Sequence, residues 1–215
     1  MIMNLEKYPT LTIIQHPLIQ TKLTILRDVN TDNYMFRTLL NQIASLMVYE
    51  VFRNTDTVEV EVSTPLETTT GYKLSKEITL VPILRAGLGM VSGIHQLIPR
   101  ARIGHIGLYR AKNTLEPVEY YTKFPPNLSE TKVILIDPML ATGGSASAAL
   151  TFIKQRNVKD ISFVCLVAAP EGVERIIADH PEVPIFTAAL DRELNDHAYI
   201  LPGLGDAGDR IYGTE

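Results

Sequence analysis

The sequence predicts an α/β fold in which helices flank a mostly parallel, twisted sheet. From residue 78 onward, short apolar runs alternate with segments of helical periodicity, which is the pattern of successive strand–helix–strand units. Residues 133–136 read Val-Ile-Leu-Ile, and such a run is typical of a central parallel strand covered on both faces. The length of 215 residues and the hydrophobic content of 46% predict a single domain, residues 1–215, with a substantial core.

The first third of the chain shows two further patterns. Apolar residues recur with a period close to 3.6 over residues 36–51, which predicts a helix with Thr31 or Asp32 as its N-cap. Residues 58–62 alternate strictly between valine and glutamate, which predicts a strand with one solvated face. We expect residues 57–77 to form an exposed β-arm.

In the second part of the chain, each apolar run predicts a strand and each periodic segment predicts a helix. The predicted strands cover residues 78–84, 103–109, 132–136, 161–168 and 184–188, and the predicted helices cover residues 87–98, 146–155 and 171–178. Ligands of such sheets bind beyond the carboxyl ends of the strands. The loops 85–87, 110–112 and 137–145 each follow a predicted strand, so we expect them to converge on one edge.

The charge and cysteine content of the chain indicate which kinds of partner and which cellular compartment to expect. The net charge of −4 offers no overall attraction for nucleic acid or an anionic membrane, so we expect neither as a partner. The single cysteine, Cys165, lies in an apolar run and is interpreted as a buried packing residue. No disulfide can form within the chain, and the first residues lack the features of a signal peptide, so we expect a cytoplasmic protein.

Residues 137–145, Asp-Pro-Met-Leu-Ala-Thr-Gly-Gly-Ser, have the residue types of a phosphate cradle. Glycines allow a ligand to approach the backbone, and the N–H groups at the start of a helix attract phosphate. Asp137 stands at the strand end, so the loop suits a ligand with phosphate at one end and hydroxyls or a metal at the other. The plainer interpretation is an ordinary loop with a Ser or Thr cap, in which Asp137 only caps a turn.

This stretch resembles the signature of the type I phosphoribosyltransferases, which is an apolar strand, one or two acids, a few small or apolar residues, and Thr-Gly-Gly-Ser/Thr. Pro138 stands where a second acid usually follows, and this variant looks like that of the members that use uracil. Residues 16–18, 36–37, 82–89 and 203–210 also resemble blocks of those members, in the same order.

The resemblance implies a type I phosphoribosyltransferase fold and a specific reaction. The phosphoribosyl group of 5-phosphoribosyl 1-diphosphate (PRPP) would pass to uracil, giving UMP and diphosphate in pyrimidine salvage. Residues 142–145 would hold the 5′-phosphate, and Asp137 would accept hydrogen bonds from the ribose hydroxyls. The PRPP-binding residues of this loop would be Asp137, Pro138, Met139, Leu140, Ala141, Thr142, Gly143, Gly144 and Ser145.

Two arginines are predicted to bind the diphosphate. Arg85 follows an apolar strand and precedes glycines, and its planar donors suit phosphate oxygens. Arg110 opens a polar segment that, by resemblance, is a flexible flap over residues 110–126 that closes on PRPP; Lys112 is a weaker candidate. The plainer interpretations are a solvated arginine at a strand end and an ordinary surface loop.

The C-terminal segment 196–213 resembles a hood that reads the base through backbone groups. The glycines in residues 199–210 predict neither a regular strand nor a helix, and the plainer interpretation is a flexible tail. The resemblance implies uracil contacts at Ile200, Gly205, Asp206 and Ala207. The resemblance also implies that Asp206 contacts PRPP, either directly or through Mg²⁺. The residues that we expect to be catalytic are Asp137, Arg110 and Asp206.

The remaining expectations concern metals, effectors and assembly. The five histidines lack metal-ligand spacing, so we expect Mg²⁺ to be held mainly by PRPP and assign it no direct protein ligand. The resemblance implies GTP or CTP as a candidate effector, although no sequence motif marks an effector site. It also implies a homodimer or higher homo-oligomer that is joined through the β-arm. The alternative functions are a UMP-sensing, RNA-binding regulator on the same fold, or transfer to a purine or orotate.

Overall fold

Most of the described chain forms an α/β fold, in which helices cover both faces of one large β-sheet. The computed structural model describes residues 2–110 and 117–214. In these residues the strands are β1 (Ile2–Leu5), β2 (Tyr8–Ile14), β3 (Thr57–Ser63), β4 (Thr68–Leu74), β5 (Ile78–Leu84), β6 (Arg102–Ile103), β7 (His105–Arg110), β8 (Pro117–Lys123), β9 (Lys132–Ile136), β10 (Met139–Leu140), β11 (Ile161–Ala168), β12 (Ile185–Leu190), β13 (Glu193–Leu194) and β14 (Ile200–Leu201). The helices are α1 (Pro17–Arg27), α2 (Asn33–Val51), α3 (Leu88–Leu97), α4 (Gly144–Lys154), α5 (Pro170–Asp179) and α6 (Ala207–Tyr212).

The large sheet is parallel at its centre and antiparallel at both edges. Its strand order is β1–β2–β12–β11–β9–β5–β7–β8, with β10 also paired to β11 and β6 to β5. All neighbours from β2 to β7 pair in parallel, and only the outer pairs β1–β2 and β7–β8 are antiparallel. The predicted mostly parallel sheet is therefore confirmed.

Alternate side chains of the central strands enter two separate cores. In β9, Ile134 and Ile136 pack with α1, α2, α3 and α6 on one face. Val133 and Leu135 pack with α4 and α5 on the other. All four side chains are fully buried, which is why the run is apolar without a break.

The predicted elements after residue 78 are confirmed, with helix boundaries that differ by one or two residues. The predicted strand 103–109 is divided at Gly104, whose N–H donates to the carbonyl of Leu80 at 2.9 Å. The predicted helix of residues 36–51 begins slightly earlier, because the Asp32 carboxylate caps it by accepting the Met35 N–H at 2.7 Å. Cys165 is fully buried, as expected.

The N-terminal region contains elements that the sequence analysis did not predict. β2 joins the parallel sheet next to β12, and α1 packs on the same face as α2. The start of α1 carries a recognisable signal, because Pro17 occupies its first turn and the His16 ring accepts the Leu18 N–H at 3.2 Å. No helix in the described parts of the chain has the length and apolar character needed to cross a membrane.

Two hairpins extend from this framework. β3 and β4 pair in register from Thr57–Leu74 to Ser63–Thr68 and stay largely exposed along their length. β8 lies within the predicted flap and pairs antiparallel with β7, so residues 117–123 of that segment form a regular strand. Residues 111–116 of the predicted flap, including Lys112, lie outside the described residues.

Helices α2 and α3 approach closely at Gly93. The Gly93 N–H donates to the Asn41 side-chain oxygen at 2.8 Å, and the Ser45 hydroxyl donates to the Gly93 carbonyl at 2.6 Å. A Cβ atom at Gly93 would lie 2.1 Å from the Asn41 carbonyl oxygen. The two backbones therefore touch without an intervening side chain.

We predict that Gly93→Ala destabilises the protein because α3 would have to move away from α2. Overpacking of this kind costs about 1–3 kcal/mol, which would lower the melting temperature by several degrees. Ser92→Ala is the matched control, since Ser92 is exposed on the same helix. Equal melting temperatures for the two variants in a thermal denaturation experiment would contradict the close packing.

Candidate active site

The loop after β9 is anchored to the neighbouring strand β11. The Asp137 N–H donates to the Val164 carbonyl at 3.1 Å, and the Pro138 carbonyl accepts from the Leu166 N–H at 2.9 Å. The Leu140 carbonyl accepts from the Ala169 N–H at 2.8 Å. These bonds hold the loop at the carboxyl edge of the sheet and leave Asp137 where the strand ends.

Gly143 makes the turn that starts helix α4. It is the N-cap of α4 with φ +77°, and its carbonyl accepts the Ser147 N–H at 2.8 Å. A Cβ at this position would lie 2.9 Å from the Gly172 carbonyl oxygen and 2.9 Å from Cβ of Arg175. Glycine is therefore required both by the left-handed conformation and by the contact with α5. The N-terminal end of α4, with its N–H groups, faces the loop.

Asp137 has a pKa close to neutrality. Burial of the carboxyl group raises the pKa of Asp137 from 3.8 to about 7; the backbone hydrogen bond from Met139 opposes this shift, and the negative charge of Asp206 adds to it. The interaction with Asp206 means that the loop after β9 and the C-terminal segment share one electrostatic environment. A nearby cation would restore ionisation of Asp137.

Arg85 lies between the end of β5 and helix α6. The Leu84–Arg85 peptide bond is cis, and the guanidinium, 60% exposed, lies 3.5 Å from the Asp209 carboxylate. The Tyr212 hydroxyl donates to the Arg85 carbonyl at 3.1 Å, and the Tyr212 ring centre lies 5.7 Å from the guanidinium carbon. Arg85 is thus in contact with the C-terminal segment and remains open to an anionic ligand.

The strand ends bring the loops after β5 and β9 and the end of β7 to one edge, as expected for the described residues; residues 111 and 112 of the third predicted loop lie outside them. β5 pairs in parallel with β9 on one side and with β7 on the other. A Cβ at Gly87 would lie 2.5 Å from the Ile136 carbonyl, so the loop after β5 packs directly on the strand end that carries Asp137. Arg110 is the last residue of β7, on the adjacent strand.

The expectation that the C-terminal run forms neither strand nor helix is wrong. Residues 200–201 form β14, which pairs with β13, and residues 207–212 form α6. The Asp206 carboxylate caps α6 by accepting the Asp209 N–H at 3.0 Å. The glycines had suggested irregular structure, but Gly203 and Gly205 make left-handed turns between the two short elements, and α6 accommodates Gly208.

Between these elements lie backbone groups that can bind a ligand. In the described parts of the chain, no protein hydrogen bond involves the N–H or the carbonyl of Gly205 or the N–H of Ala207. Gly205 is exposed, and Ala207 is the first residue of α6. Ile200 is buried in the same hydrophobic core as Ala207. A donor and an acceptor are therefore presented on a fixed backbone.

Three arginines that the sequence analysis did not single out hold the C-terminal segment. Arg210 donates to the Leu204 carbonyl at 2.9 Å, and its guanidinium carbon lies 4.5 Å from the centre of the Phe36 ring. Arg37 donates to the Ile211 carbonyl at 2.8 Å, and Arg27 donates to the Gly203 carbonyl at 2.6 Å. Arg37 and Arg210 lie in sequence blocks that carry the resemblance, but only the fold shows which carbonyl each one meets.

The described residues contain no group of three or more His, Cys, Asp or Glu side chains that could hold a metal ion. Asp137 and Asp206 interact electrostatically and supply two carboxylates at the carboxyl edge. This donor set fits a magnesium ion that takes most of its ligands from phosphate oxygens, because Mg²⁺ in such sites uses one or two carboxylates.

Comparisons with known proteins agree with this fold. The family model described as "Uracil phosphoribosyltransferase" matches residues 13–214. Proteins named uracil phosphoribosyltransferase from Dictyoglomus thermophilum and Acholeplasma laidlawii are 57% and 54% identical to this chain; each match covers 94–95% of the chain and 99% of the relative.

Two solved structures extend the comparison. The AQ2163 protein of Aquifex aeolicus has a TM-score of 0.89 at 40% identity, with 95% of this chain and 99% of that chain covered. The adenine phosphoribosyl transferase of Trypanosoma brucei, solved with AMP, pyrophosphate and ribose-5-phosphate, has a TM-score of 0.57 at 13% identity over 91% and 90% of the two chains. The latter supports the fold alone.

The fold, with a phosphate-type loop after a central parallel strand, is that of a type I phosphoribosyltransferase, as the sequence predicted. Within that class, the chain belongs to the uracil phosphoribosyltransferase family. The expectation of a pentosyltransferase is confirmed, and these matches give no support to the RNA-binding alternative.

We predict that Gly143→Val abolishes PRPP binding while the protein still folds. A β-branched residue resists φ +77°, would meet the Gly172 carbonyl, and would shift the N–H groups of the loop. Calorimetric titration with PRPP is expected to show at least a tenfold loss of affinity, since backbone strain of this kind costs about 1–3 kcal/mol. Ala148→Val, which enlarges a side chain further along α4, is the control. Near-normal affinity of Gly143→Val would show that the cradle lies elsewhere.

We predict that Asp137→Asn stabilises the ligand-free protein more strongly as the pH rises. The raised pKa means that folding disfavours the ionised carboxylate, so wild-type stability falls between pH 3.8 and about 7. The gain in stability of the variant over wild type should therefore be larger at about pH 8 than at about pH 5, by roughly 2–3 kcal/mol or several degrees.

Asp160→Asn is the control of opposite sign. Burial raises the pKa of Asp160, but hydrogen bonds from Lys76 and Lys132 outweigh it and hold that pKa below its ordinary value. This variant should lose stability at both pH values. A gain for Asp137→Asn that shrinks with rising pH would contradict the assigned environment.

Proposed function

We propose that residues at the carboxyl edge of the sheet bind PRPP and uracil and carry out the family's reaction. Residues 142–145 bind the 5′-phosphate, Asp137 binds the ribose hydroxyls, and Arg85 and Arg110 bind the diphosphate. Residues 138–141 complete the wall of the PRPP site. The observation that carries this proposal is the convergence of the loop after β9, the loop after β5 and the C-terminal segment around the Asp137 carboxylate.

Positive charge that develops on the sugar explains why an acid stands at the strand end. In the transfer, a bond forms between N1 of uracil and C1′ of the ribose while the bond from C1′ to the diphosphate oxygen breaks, and N1 loses its proton. The ribose gains oxocarbenium character. Because the pKa of Asp137 lies near neutrality in the free protein, approaching positive charge favours its ionised form and strengthens its hydrogen bonds.

We propose that Asp137 and Asp206 face a Mg²⁺ ion that arrives with PRPP. When bound, such an ion neutralises part of the charge on the diphosphate. Asp206 also caps α6, so the same carboxylate joins the PRPP site to the segment that presents Gly205 and Ala207.

We propose that the C-terminal segment reads uracil through its backbone. The Ala207 N–H is suited to donate to O4 of uracil, and the Gly205 carbonyl is suited to accept from N3–H, while Ile200 lies in the same buried core as Ala207. Cytosine has a donor in place of O4 and lacks the N3 proton, so it would mismatch at both positions. A fixed backbone cannot reorient as a side chain can, which is a basis for strong discrimination.

The β3–β4 hairpin is the surface that we propose for assembly. The β3–β4 hairpin exposes Val58, Val62 and Tyr72, with 40% to 69% of each residue accessible, and a two-stranded hairpin is only marginally stable alone. We propose that a second copy of the chain covers it. GTP or CTP remains a proposal for an effector, and the cytoplasm remains the proposed location.

The base-reading proposal is tested by Ala207→Pro, which removes one N–H and adds ring atoms at a buried position. Proline is accepted at the first position of a helix, and Asp206 before it has an extended conformation at φ −77° and ψ 113°. We predict a fall in kcat/KM for uracil of about tenfold to a hundredfold, because an unpaired buried acceptor costs about 1–3 kcal/mol, with PRPP affinity retained.

Ala207→Ser keeps the N–H and is the matched control, for which we expect kcat/KM for uracil near that of wild type. The assay follows UMP formation from radiolabelled uracil, PRPP and Mg²⁺, with cytosine as a second base. Equal effects of the serine and proline variants would refute backbone reading at Ala207. Comparable use of uracil and cytosine by the wild-type protein would refute the proposed base contacts altogether.

A further inference from the structure

A buried ion pair contacts the C-terminal segment and lies outside the residues proposed to bind PRPP. Arg27, the last residue of α1, donates to both carboxylate oxygens of Asp191, at 2.7 Å and 2.6 Å. The side chains of Arg27 and Asp191 are 22% and 6% exposed. Asp191 follows β12, and its own N–H donates to the Ala168 carbonyl at 2.8 Å, so the acid is fixed to the end of the sheet.

Both members of this pair also bind the backbone of Gly203. The Gly203 N–H donates to the Asp191 carboxylate at 2.9 Å, and the Gly203 carbonyl accepts from the Arg27 guanidinium at 2.6 Å. The N–H and the carbonyl of Gly203 are therefore each bound by a charged side chain. Charge-assisted hydrogen bonds of this kind are the stronger ones in proteins.

Gly203 is the point at which this restraint acts on the segment. It has φ +63°, and a Cβ there would lie 2.1 Å from the Ile200 carbonyl oxygen. The turn therefore folds back on β14 and directs the chain toward Gly205, which also has a left-handed φ of +77°. The backbone direction at Gly203 decides where the Gly205 carbonyl and the Ala207 N–H point.

Buried charges are an expensive way to stabilise a fold, since apolar residues of similar volume often serve equally well. An apolar pair could not bind the N–H and the carbonyl of Gly203. Arginine also has the planar fork needed to reach the carboxylate and the carbonyl together, which a lysine ammonium lacks. These properties indicate a role in geometry rather than in stability alone.

We propose that Arg27 and Asp191 are positioning residues for the base: they clamp Gly203 and thereby set the uracil-reading backbone at Gly205 and Ala207. This inference rests on the proposed base contacts. It assigns the pair no contact with PRPP, so disturbing it should weaken the use of uracil while leaving the affinity for PRPP in place.

The experiment compares KM values for the two substrates in the full-length protein. Arg27→Lys keeps the charge but loses the fork, and Asp191→Asn keeps the shape but loses the charge. For both variants we expect KM for uracil to rise about tenfold or more, with KM for PRPP within about twofold of wild type. Arg53→Lys is the matched control, because Arg53 makes a similar two-point bond to Glu50, at 2.7 Å for each contact, at the end of α2.

A rescue measurement separates positioning from simple loss of structure. In Arg27→Ala, added guanidinium ion below denaturing concentrations should lower KM for uracil and leave KM for PRPP unchanged. A parallel loss of uracil and PRPP affinity, or a failure of the variants to fold, would show that the pair supports the whole site and would overturn the inference. Unchanged KM for uracil would overturn it as well.

The base contacts and the clamp are tested by different variants. If Ala207→Pro leaves kcat/KM for uracil unchanged, the proposed base contacts are wrong. If Ala207→Pro reduces kcat/KM for uracil and Arg27→Lys does not raise KM for uracil, the base contacts stand and the clamp is wrong.

Discussion

The parallel register of β5 with its two neighbours is the constraint on which the site depends. Pro82 of β5 lies opposite Ile136 of β9, and Leu84 of β5 lies opposite Gly107 of β7. This register brings Arg85, Asp137 and Arg110 to the ends of three adjacent strands. A shift by one residue would exchange the two faces of a strand, and because both faces are buried in separate cores, the register is strongly specified.

Individual charged side chains, rather than the net charge of the whole chain, determine the electrostatics of this edge. The chain carries a net charge of −4, yet its C-terminal segment is held by the guanidinium groups of Arg27, Arg37 and Arg210. These cations are directed at backbone carbonyls, whereas Arg85 remains largely exposed. Arg27, Arg37 and Arg210 therefore shape the segment, whereas Arg85 is available to an anionic ligand. The raised pKa of Asp137 fits a site whose charge is completed by its ligand.

The sequence predicted the central sheet well because its signals are local. An uninterrupted apolar run such as residues 133–136 has few structural interpretations, and a glycine-rich turn after an acid at a strand end directs attention to one loop. β2 and α1 were not predicted, although His16 and Pro17 carry a helix-start signal. α6 was not predicted, because the glycines of this segment indicated irregular structure, although Asp206 is a residue type that favours the start of a helix.

What the sequence could not predict are contacts between distant positions. Arg27 and Asp191 are 164 residues apart, and nothing in either neighbourhood indicates that both bind Gly203. The near-neutral pKa of Asp137 likewise has two causes, burial of the carboxyl group and the negative charge of Asp206. Both causes exist only in the folded chain. Long-range pairing of this kind depends on the topology, so it follows from the structure and not from a motif.

In the proposed function, one ligand bridges the loop after β9 and the backbone of the C-terminal segment. Residue-resolved amide hydrogen exchange in the presence of ribose 5-phosphate and of UMP tests it most directly. Ribose 5-phosphate should slow exchange at Gly144 and Ser145 alone, whereas UMP should slow exchange there and also at Ala207. Protection by UMP that leaves Ala207 unchanged, or that lies away from residues 142–145, would contradict the account.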